Sequence, residues 1–468
     1  MGLMKGIKMN TIDRNEKIYR FLMLMFVGIL IIISVFALSH ADIKFIPKWG
    51  VELLEHIRTG NVKNYYVDMY NAGEGNNYNL FQTTFVMLCC VPAYIVGKLF
   101  HIEVSLLVYQ ISLKLVVATL HVLCARELHK IINIKFKDEN KAFLAGMFYL
   151  ANPVVIMHGI GIGQIDVLGI LLFLLSIRFN LEKKQTKMAV CVGLAILSKF
   201  FLLMIYVPVL LLNIKKIKEW TKSIIIVIAI QGVHKLLTSL LFIDAGHQAS
   251  VHNNEVFIPR LFAVNIDGRT SIFIMMMLLL CGICLAIGLR DKQAKNTNVM
   301  MPVLLFWLFL LLVYWHPQWI IYIVPMLIIM VCFLKKEIEI VLYGFGANIG
   351  FVLYSMCAFS MSSYSSILIK ESMIGRYIPG DENRFLTPWI FERFTENSIF
   401  VGGTILMASI LLMVIVFWID TKDNNTNEIN ELEEIKPSIV RKIIWLVVIN
   451  APSYIYIFAL YALYIGVI

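Results

Sequence analysis

Residues 142–177 read AFLAGMFYLANPVVIMHGIGIGQIDVLGILLFLLSI. Two strongly apolar segments, roughly Ala142 to Met157 and Val167 to Ile177, are each long enough for a buried helix. Gly159, Gly161 and Gly163 are expected to break the helix between them. Asp166 then falls within or just under that break, at the mouth of a membrane bundle. A carboxylate held there is costly unless it is solvated or bound, which makes Asp166 a candidate site residue. The plain alternative is a helix cap, since Asp is also a good N-cap.

The same apolar character extends outward from this stretch to both ends of the chain. Of 468 residues, 59% are hydrophobic and 15% charged, and mean hydropathy is +0.78. Such a composition is far from that of a soluble domain. Apolar runs of near-spanning length recur throughout, which predicts an all-α polytopic membrane protein. A β-barrel would instead show alternating segments of about ten residues. The first run, Phe21 to Leu38, has a basic flank and no small-residue cleavage site, so an uncleaved first helix is expected.

A net charge of +10 invites a nucleic-acid reading, which the placement of the charges rejects. Of the 41 lysines and arginines, 27 cluster in short alternate loops: 5–20, 126–141, 178–187, 215–222, 290–295, 335–336 and 422–442. That bias places the N-terminus in the cytoplasm. Fourteen spans are candidates, but if all crossed, the basic loop 125–141 would lie outside. Placing 80–100 along the outer surface removes the conflict; its Pro92, its Gly97 and the polar start Asn76-Asn77-Tyr78-Asn79 suit a bent interfacial segment. Thirteen crossings then remain, with the N-terminus inside and the C-terminus outside.

The expected organisation has four parts. Residues 1–220 form a catalytic transmembrane module with a first external loop (39–79) and the surface helix (80–100). Residues 221–420 form a second module with external loops 244–270 and 362–397. A cytoplasmic linker (421–440) and a last helix (441–468), isolated by that linker, complete the chain. The eight cysteines all lie in or beside apolar segments, so no disulfide framework is expected. Cys281-Gly-Ile-Cys284 has the spacing of half a zinc site, yet it lies mid-helix without a partner pair and reads as packing.

Several residues could carry chemistry. Asp42 follows the first helix directly, and an acid held at a membrane surface can accept a proton from an incoming hydroxyl. It could equally just solvate a helix end. Asp68, in the same external loop, is its rival. Lys199 sits in an apolar run where snorkelling is the plain reading, but a buried cation at the outer mouth could neutralise a lipid-linked phosphate. Lys114 and His234-Lys235 are further intramembrane cations that could pair structurally. His316, before Pro317 and among interfacial aromatics, could hold phosphate or sugar hydroxyls, as could Arg260, Arg376 and Arg384.

In this order, these features resemble the polytopic glycosyltransferases of the GT-C superfamily, which use polyprenyl-phosphate sugars at the outer face of a membrane. The matching elements are Asp42 after the first helix, surface helices in the first loop, and Asn152-Pro153 followed by Gly163-Gln164-Ile165-Asp166. Ser198-Lys199-Phe200 and the turn at 316–319 complete the set, over roughly residues 20–335. The Gly-Gln-x-Asp form looks most like bacterial relatives of GPI mannosyltransferases. The resemblance implies an inverting transfer of a hexose, mannose favoured. Asp42 would be the general base, Asp166 and Gln164 would position substrate, Lys199 would face the donor phosphate, and polyprenyl phosphate would leave.

Many members carry paired acids early in the first loop. Asp42 instead has Ala41 and Ile43 as neighbours, which keeps Asp68 in contention. Some branches need a divalent metal, which Asp42 and Asp166 could bind jointly, though no dedicated ligand cluster stands out. The implied partners are a polyprenyl-phosphate-linked sugar, a glycan, lipid or protein acceptor and the lipid bilayer of a bacterial plasma membrane, with no nucleic acid. Two other classes stay open. A transporter or flippase of lipid-linked sugars would share the embedded charges but should show internal repeats, and none of fixed period is evident. A polysaccharide polymerase or ligase would rest on the external arginines.

Overall fold

A computed structural model describes residues 2–40, 42–243, 245–254, 257–266, 268–290, 296–313, 315–334, 337–358, 367–381, 397–423 and 439–467. The described chain is helical nearly throughout, in the order α1 (Gly2–Ala37), α2 (Asp42–Arg58), α3 (Tyr65–Asn71), α4 (Leu80–Phe100), α5 (Leu106–Phe136), α6 (Glu139–Leu150), α7 (Val167–Leu181), α8 (Gln185–Ser198), α9 (Leu202–Leu212), α10 (Ile217–Leu241), α11 (Ala245–Asn254), α12 (Phe257–Arg260), α13 (Ile272–Gly288), α14 (Thr297–Leu312), α15 (Val324–Val331), α16 (Glu337–Ala358), α17 (Ile367–Lys370), α18 (Ser398–Asp423) and α19 (Ile439–Ile465). The strands among the described residues form a small antiparallel hairpin, Asn265–Ile266 with Thr270–Ser271. Two-stranded pairing of this size only shapes a loop.

Among the described residues, seven helices are long and apolar enough to cross a membrane, and eight if the bent pair α6 and Val154–Gly161 counts as one. Five further apolar helices (α7, α8, α9, α13 and α14) are 10–17 residues long, below the roughly 20 residues that a full span needs. The protein is therefore an all-α, membrane-embedded chain. Length and composition alone place α4 among the candidate spans, whereas the sequence reading laid it on the surface.

Two sets of contacts mark opposite ends of the bundle. At one end, Arg20 meets Asn140, Arg178 pairs with Glu127, and Lys141 donates to the Cys332 carbonyl at 3.0 Å. The segment expected as loop 125–141 is helical to Phe136, because Glu127 pairs along the helix with Lys130 and across to Arg178. At the other end, the Ile374 amide donates to the Phe36 carbonyl, Tyr461 to the Ala37 carbonyl, and Lys44 pairs with Glu371. The last helix is not isolated as expected: α19 packs on α16 and α1, and Tyr454 reaches the Ala151 carbonyl. Residues 424–438 of the expected linker lie outside the described residues.

Helix α2 carries the first external loop across α4. A Cβ on Gly50 would stand 2.9 Å from backbone atoms of Val86 and Met87, closer than real Cβ contacts come. Glycine is what allows this approach. Beyond the crossing, Glu55 bonds to Lys98 (2.7 Å), Tyr94 and Arg58, and these partners, Lys98 foremost, hold its carboxyl down at about 2. At its start, α4 is closed by reciprocal Asn79 and Gln82 bonds. The same two side chains donate to the Leu197 and Ser198 carbonyls, each at 2.8 Å. Gly50→Leu should lower stability by about 1–3 kcal/mol through overpacking. A melting temperature in detergent equal to that of the unmodified protein would show that α2 and α4 do not pack this way.

Candidate functional site

The site is assembled where α1 ends. Its last carbonyls, Val35 and Leu38, accept from the Lys114 ammonium on α5, a cation only 3% exposed. One of the intramembrane lysines is therefore a structural cap, satisfying groups that the helix end leaves open. His40 follows, 5% exposed, and its Nδ1 accepts the Asp42 amide N–H at 3.1 Å. Burial holds this imidazole below its ordinary value against the opposing pull of Asp42. The 3.5 Å separation between Nδ1 and Asp42 Oδ1 is thus the approach of a neutral ring to a carboxylate. Asp42 opens α2 with its side chain 44% exposed.

The second acidic motif comes from the stretch after α6. The helix stops at Ala151, where the Asn152 side chain accepts the Val154 N–H at 2.9 Å and Pro153 supplies no N–H of its own. The chain bends by 55° and continues in wide π-type turns over Val154–Gly161, a geometry frequent at functional sites. The expected break therefore moves: it lies at 151–153 and again at 162–166. Gly159 instead gives His121 room, and Gly163 (φ +74) turns where a Cβ would run into Ile43. That turn brings Gln164 Nε2 to 3.1 Å from Asp42 Oδ2.

Asp166 stands at the N-cap position of α7, but its side chain makes no capping bond. The carboxylate is 2% exposed and lies 3.3 Å from Lys199 Nζ, with the Tyr322 hydroxyl beside it. Lys199 ends α8 in an extended conformation (φ −158, ψ 122), which turns its ammonium back toward α7. It lies 5.7 Å over the Tyr78 ring and is 24% exposed, so it is neither a snorkelling lysine nor fully enclosed. Its open side is the part available to a ligand.

His316 precedes the tight turn Pro317–Tyr322 and packs edge-on against Trp319, ring centroids 5.3 Å apart. Its imidazole is pushed down to about 4, by burial first and then by the positive charge of Arg260, with Lys199 and His40 adding and Asp42 opposing. Arg260, Lys199, His40 and Asp42 thus all bear on one ring.

Other candidates fall elsewhere. Asp68 accepts from Asn61 (3.2 Å) and lies 3.1 Å from His56 Nε2. His56 is fourteen residues from Asp42 along α2, or about 21 Å at the usual helical rise. Asp68 is therefore removed from the site, and the expected rivalry with Asp42 has no geometric basis. Arg376 is exposed in the turn Gly375–Tyr377, near the end of α1, and shows no polar side-chain contact to Asp42 among the described residues. Arg384 lies outside the described residues. The sequence reading assigned no role to His40, Tyr78 or Tyr322; His40 was signalled only by its spacing of two from Asp42.

Among the described residues, no three His, Cys, Asp or Glu side chains gather as a metal site. Asp166 is engaged by an ammonium and His40 Nδ1 by a backbone amide, so the donors present do not fit a resident divalent ion. A cavity of about 390 Å³ lies elsewhere, between α6, α15, α16, α18 and α19, and includes none of these ionisable residues except Lys141 of the opposite end. Convergent charge, not cavity size, marks this site.

No protein-family model and no curated protein matches the chain.

Two predictions follow from the geometry. Lys199→Ala leaves the enclosed Asp166 unpaired and should cost about 3–5 kcal/mol, while Asp166→Asn with Lys199→Met should recover most of that loss. Equal melting temperatures for the single and double variants would exclude the ion pair. His316, held at about 4 against an ordinary 6.5, contributes stability that is present above 6.5. That contribution is lost as pH falls toward 4, because only the unfolded chain takes up the proton. His316→Gln should flatten this part of a thermal-stability profile against pH; an unchanged acid slope would mean the ring is solvated.

Proposed function

We propose that the chain is an inverting membrane glycosyltransferase of GT-C type, moving a hexose, mannose favoured, from a polyprenyl-phosphate sugar to an acceptor at the outer face of a bacterial plasma membrane. The observation that carries this reading is the 3.1 Å bond from Gln164 to Asp42, which joins two motifs 122 residues apart. It ties an exposed carboxylate to the segment that carries Asp166, the partner of Lys199.

In this reading Asp42 takes the acceptor hydroxyl proton as the new bond to the anomeric carbon forms. The bond from that carbon to the phosphate oxygen breaks, and the phosphate leaves with the electron pair. Gln164 orients Asp42 instead of gripping substrate. Asp166, too enclosed to meet a sugar, is a positioning residue that aims Lys199 at the leaving phosphate, where Arg260 adds positive charge. Neutral His316 can exchange hydrogen bonds with sugar hydroxyls.

The thirteen-crossing arrangement with a cytoplasmic N-terminus belongs to the same proposal. It is supported by α4, whose start meets Leu197 and Ser198 while its end meets Glu55 of the external loop. In this reading both ends belong to the Asp42 side, and the described basic residues of 126–141, 178–187 and 215–222 belong to the other.

Membranes supplied with labelled polyprenyl-phosphate mannose or glucose provide the test. Asp42→Asn should lower transfer by about 10²–10⁴-fold, whereas Asp68→Asn should leave turnover near normal. The paired Asp166→Asn/Lys199→Met variant should fold yet use the donor less well, by a contact of about 1.5–3 kcal/mol. Normal turnover in Asp42→Asn would remove the assigned base, and flux of lipid-linked sugar without covalent product would make the protein a transporter.

A further inference from the structure

At the end of the bundle away from Asp42, a second cavity of about 350 Å³ opens between α5, α7, α8, α9, α14 and α15. Its interior is apolar, with Ile131, Phe173, Val192 and Ile205 among the lining side chains. Its mouth carries Lys135 and Lys216, together with Asn180, Gln185, Asn213 and Asn298. No acidic side chain is among the described lining residues. The two lysines are exposed, and Lys135 lies 5.7 Å from the Phe333 ring. Neither has a carboxylate partner among the described residues.

Two buried polar atoms within this lining lack a hydrogen-bond partner. The Tyr206 hydroxyl, on a side chain 9% exposed, is one, and Gln185 Oε1 is the other. Buried polar groups are nearly always satisfied, and an orphan calls for a bound group. The Tyr206 hydroxyl can donate; Tyr206 lies six residues before the end of α9, about 9 Å at the usual helical rise, with its ring centroid 6.1 Å from that of Trp220. Gln185 Oε1 can only accept, so it calls for a donor near the mouth.

We infer that this cavity binds one anionic glycerophospholipid of the surrounding leaflet, headgroup at Lys135 and Lys216 and acyl chain among α5, α7 and α9. The chemistry matches at three depths. The phosphate meets two ammonium groups, a headgroup hydroxyl donates to Gln185 Oε1, and an ester carbonyl accepts from Tyr206. A polyprenyl phosphate would satisfy the lysines but has no ester for Tyr206. Basic pockets between membrane helices bind phosphate-headed lipids in this way. The inference uses none of the residues around Asp42 and is independent of the transfer reading.

Native mass spectrometry of the full chain in detergent tests it, with phosphatidylglycerol, phosphatidylcholine of the same chains and polyprenyl phosphate as probes. Phosphatidylglycerol should be retained in preference to phosphatidylcholine by about thirtyfold, the effect expected of two lysines near a phosphate. Lys135→Ala with Lys216→Ala should abolish that preference without changing phosphatidylcholine retention. Tyr206→Phe, which deletes a single hydroxyl, should weaken retention of both phospholipids, since both carry the ester carbonyl, and leave the preference between them unchanged. Equal retention of the two phospholipids by the unmodified protein would overturn the proposal. So would an undiminished preference in the lysine variant, or displacement of phosphatidylglycerol by equimolar polyprenyl phosphate.

Discussion

An aspartate 2% exposed inside a membrane-embedded bundle has few ways to persist, and Asp166 persists because Lys199 lies 3.3 Å away. Removing either charge from such a pair leaves the other stranded in a medium that solvates it poorly. The pair therefore requires the start of α7 and the end of α8 to meet. It also requires α8 to stop at Ser198, since a continued helix would not turn the lysine back. Gly169 permits the approach: a Cβ there would press on the Ser198 side chain.

Stopping a helix in an apolar setting exposes carbonyls, and the same problem is solved twice near this site. Lys114 satisfies the end of α1, while Asn79 and Gln82 satisfy the end of α8. Water cannot be relied on for this role within lipid. These caps also position the candidate site. The first fixes where the chain leaves α1 and hence where Asp42 stands. The second ties α4, and the external loop folded over it, to the lysine.

The electrostatic character of the site comes from neutral imidazoles set among charges. His40 and His316 are both held below their ordinary values by burial first, and the charges of Arg260 and Lys199 add to the lowering of His316. An exposed carboxylate, two neutral rings and two cations suit a reaction in which a proton leaves a hydroxyl and negative charge gathers on a phosphate.

Composition and charge spacing by themselves determined that this is an all-α membrane protein, because burying apolar runs in lipid tolerates no other open backbone arrangement. Asp42, Asp166, Gln164, Lys199 and His316 were also legible, since a polar group beside apolar runs is conspicuous in one dimension. Partnership was not. Nothing in the order of residues shows that Lys114 caps a helix while Lys199 pairs with Asp166; both are lysines in apolar runs. Asp68 and Asp42 looked equivalent because a loop's residue numbers do not show that a 17-residue helix holds its two ends apart. The single break expected at three glycines is two: one at Asn152-Pro153, where a side-chain bond and a missing N–H act locally, and one at 162–166, where Gly163 turns the chain. The glycines serve close approaches by His121, Leu38 and Ile43, which exist only once distant helices have packed. Tertiary packing alone decided which charges meet, because burial and distance, not residue type, set the energy of an ion.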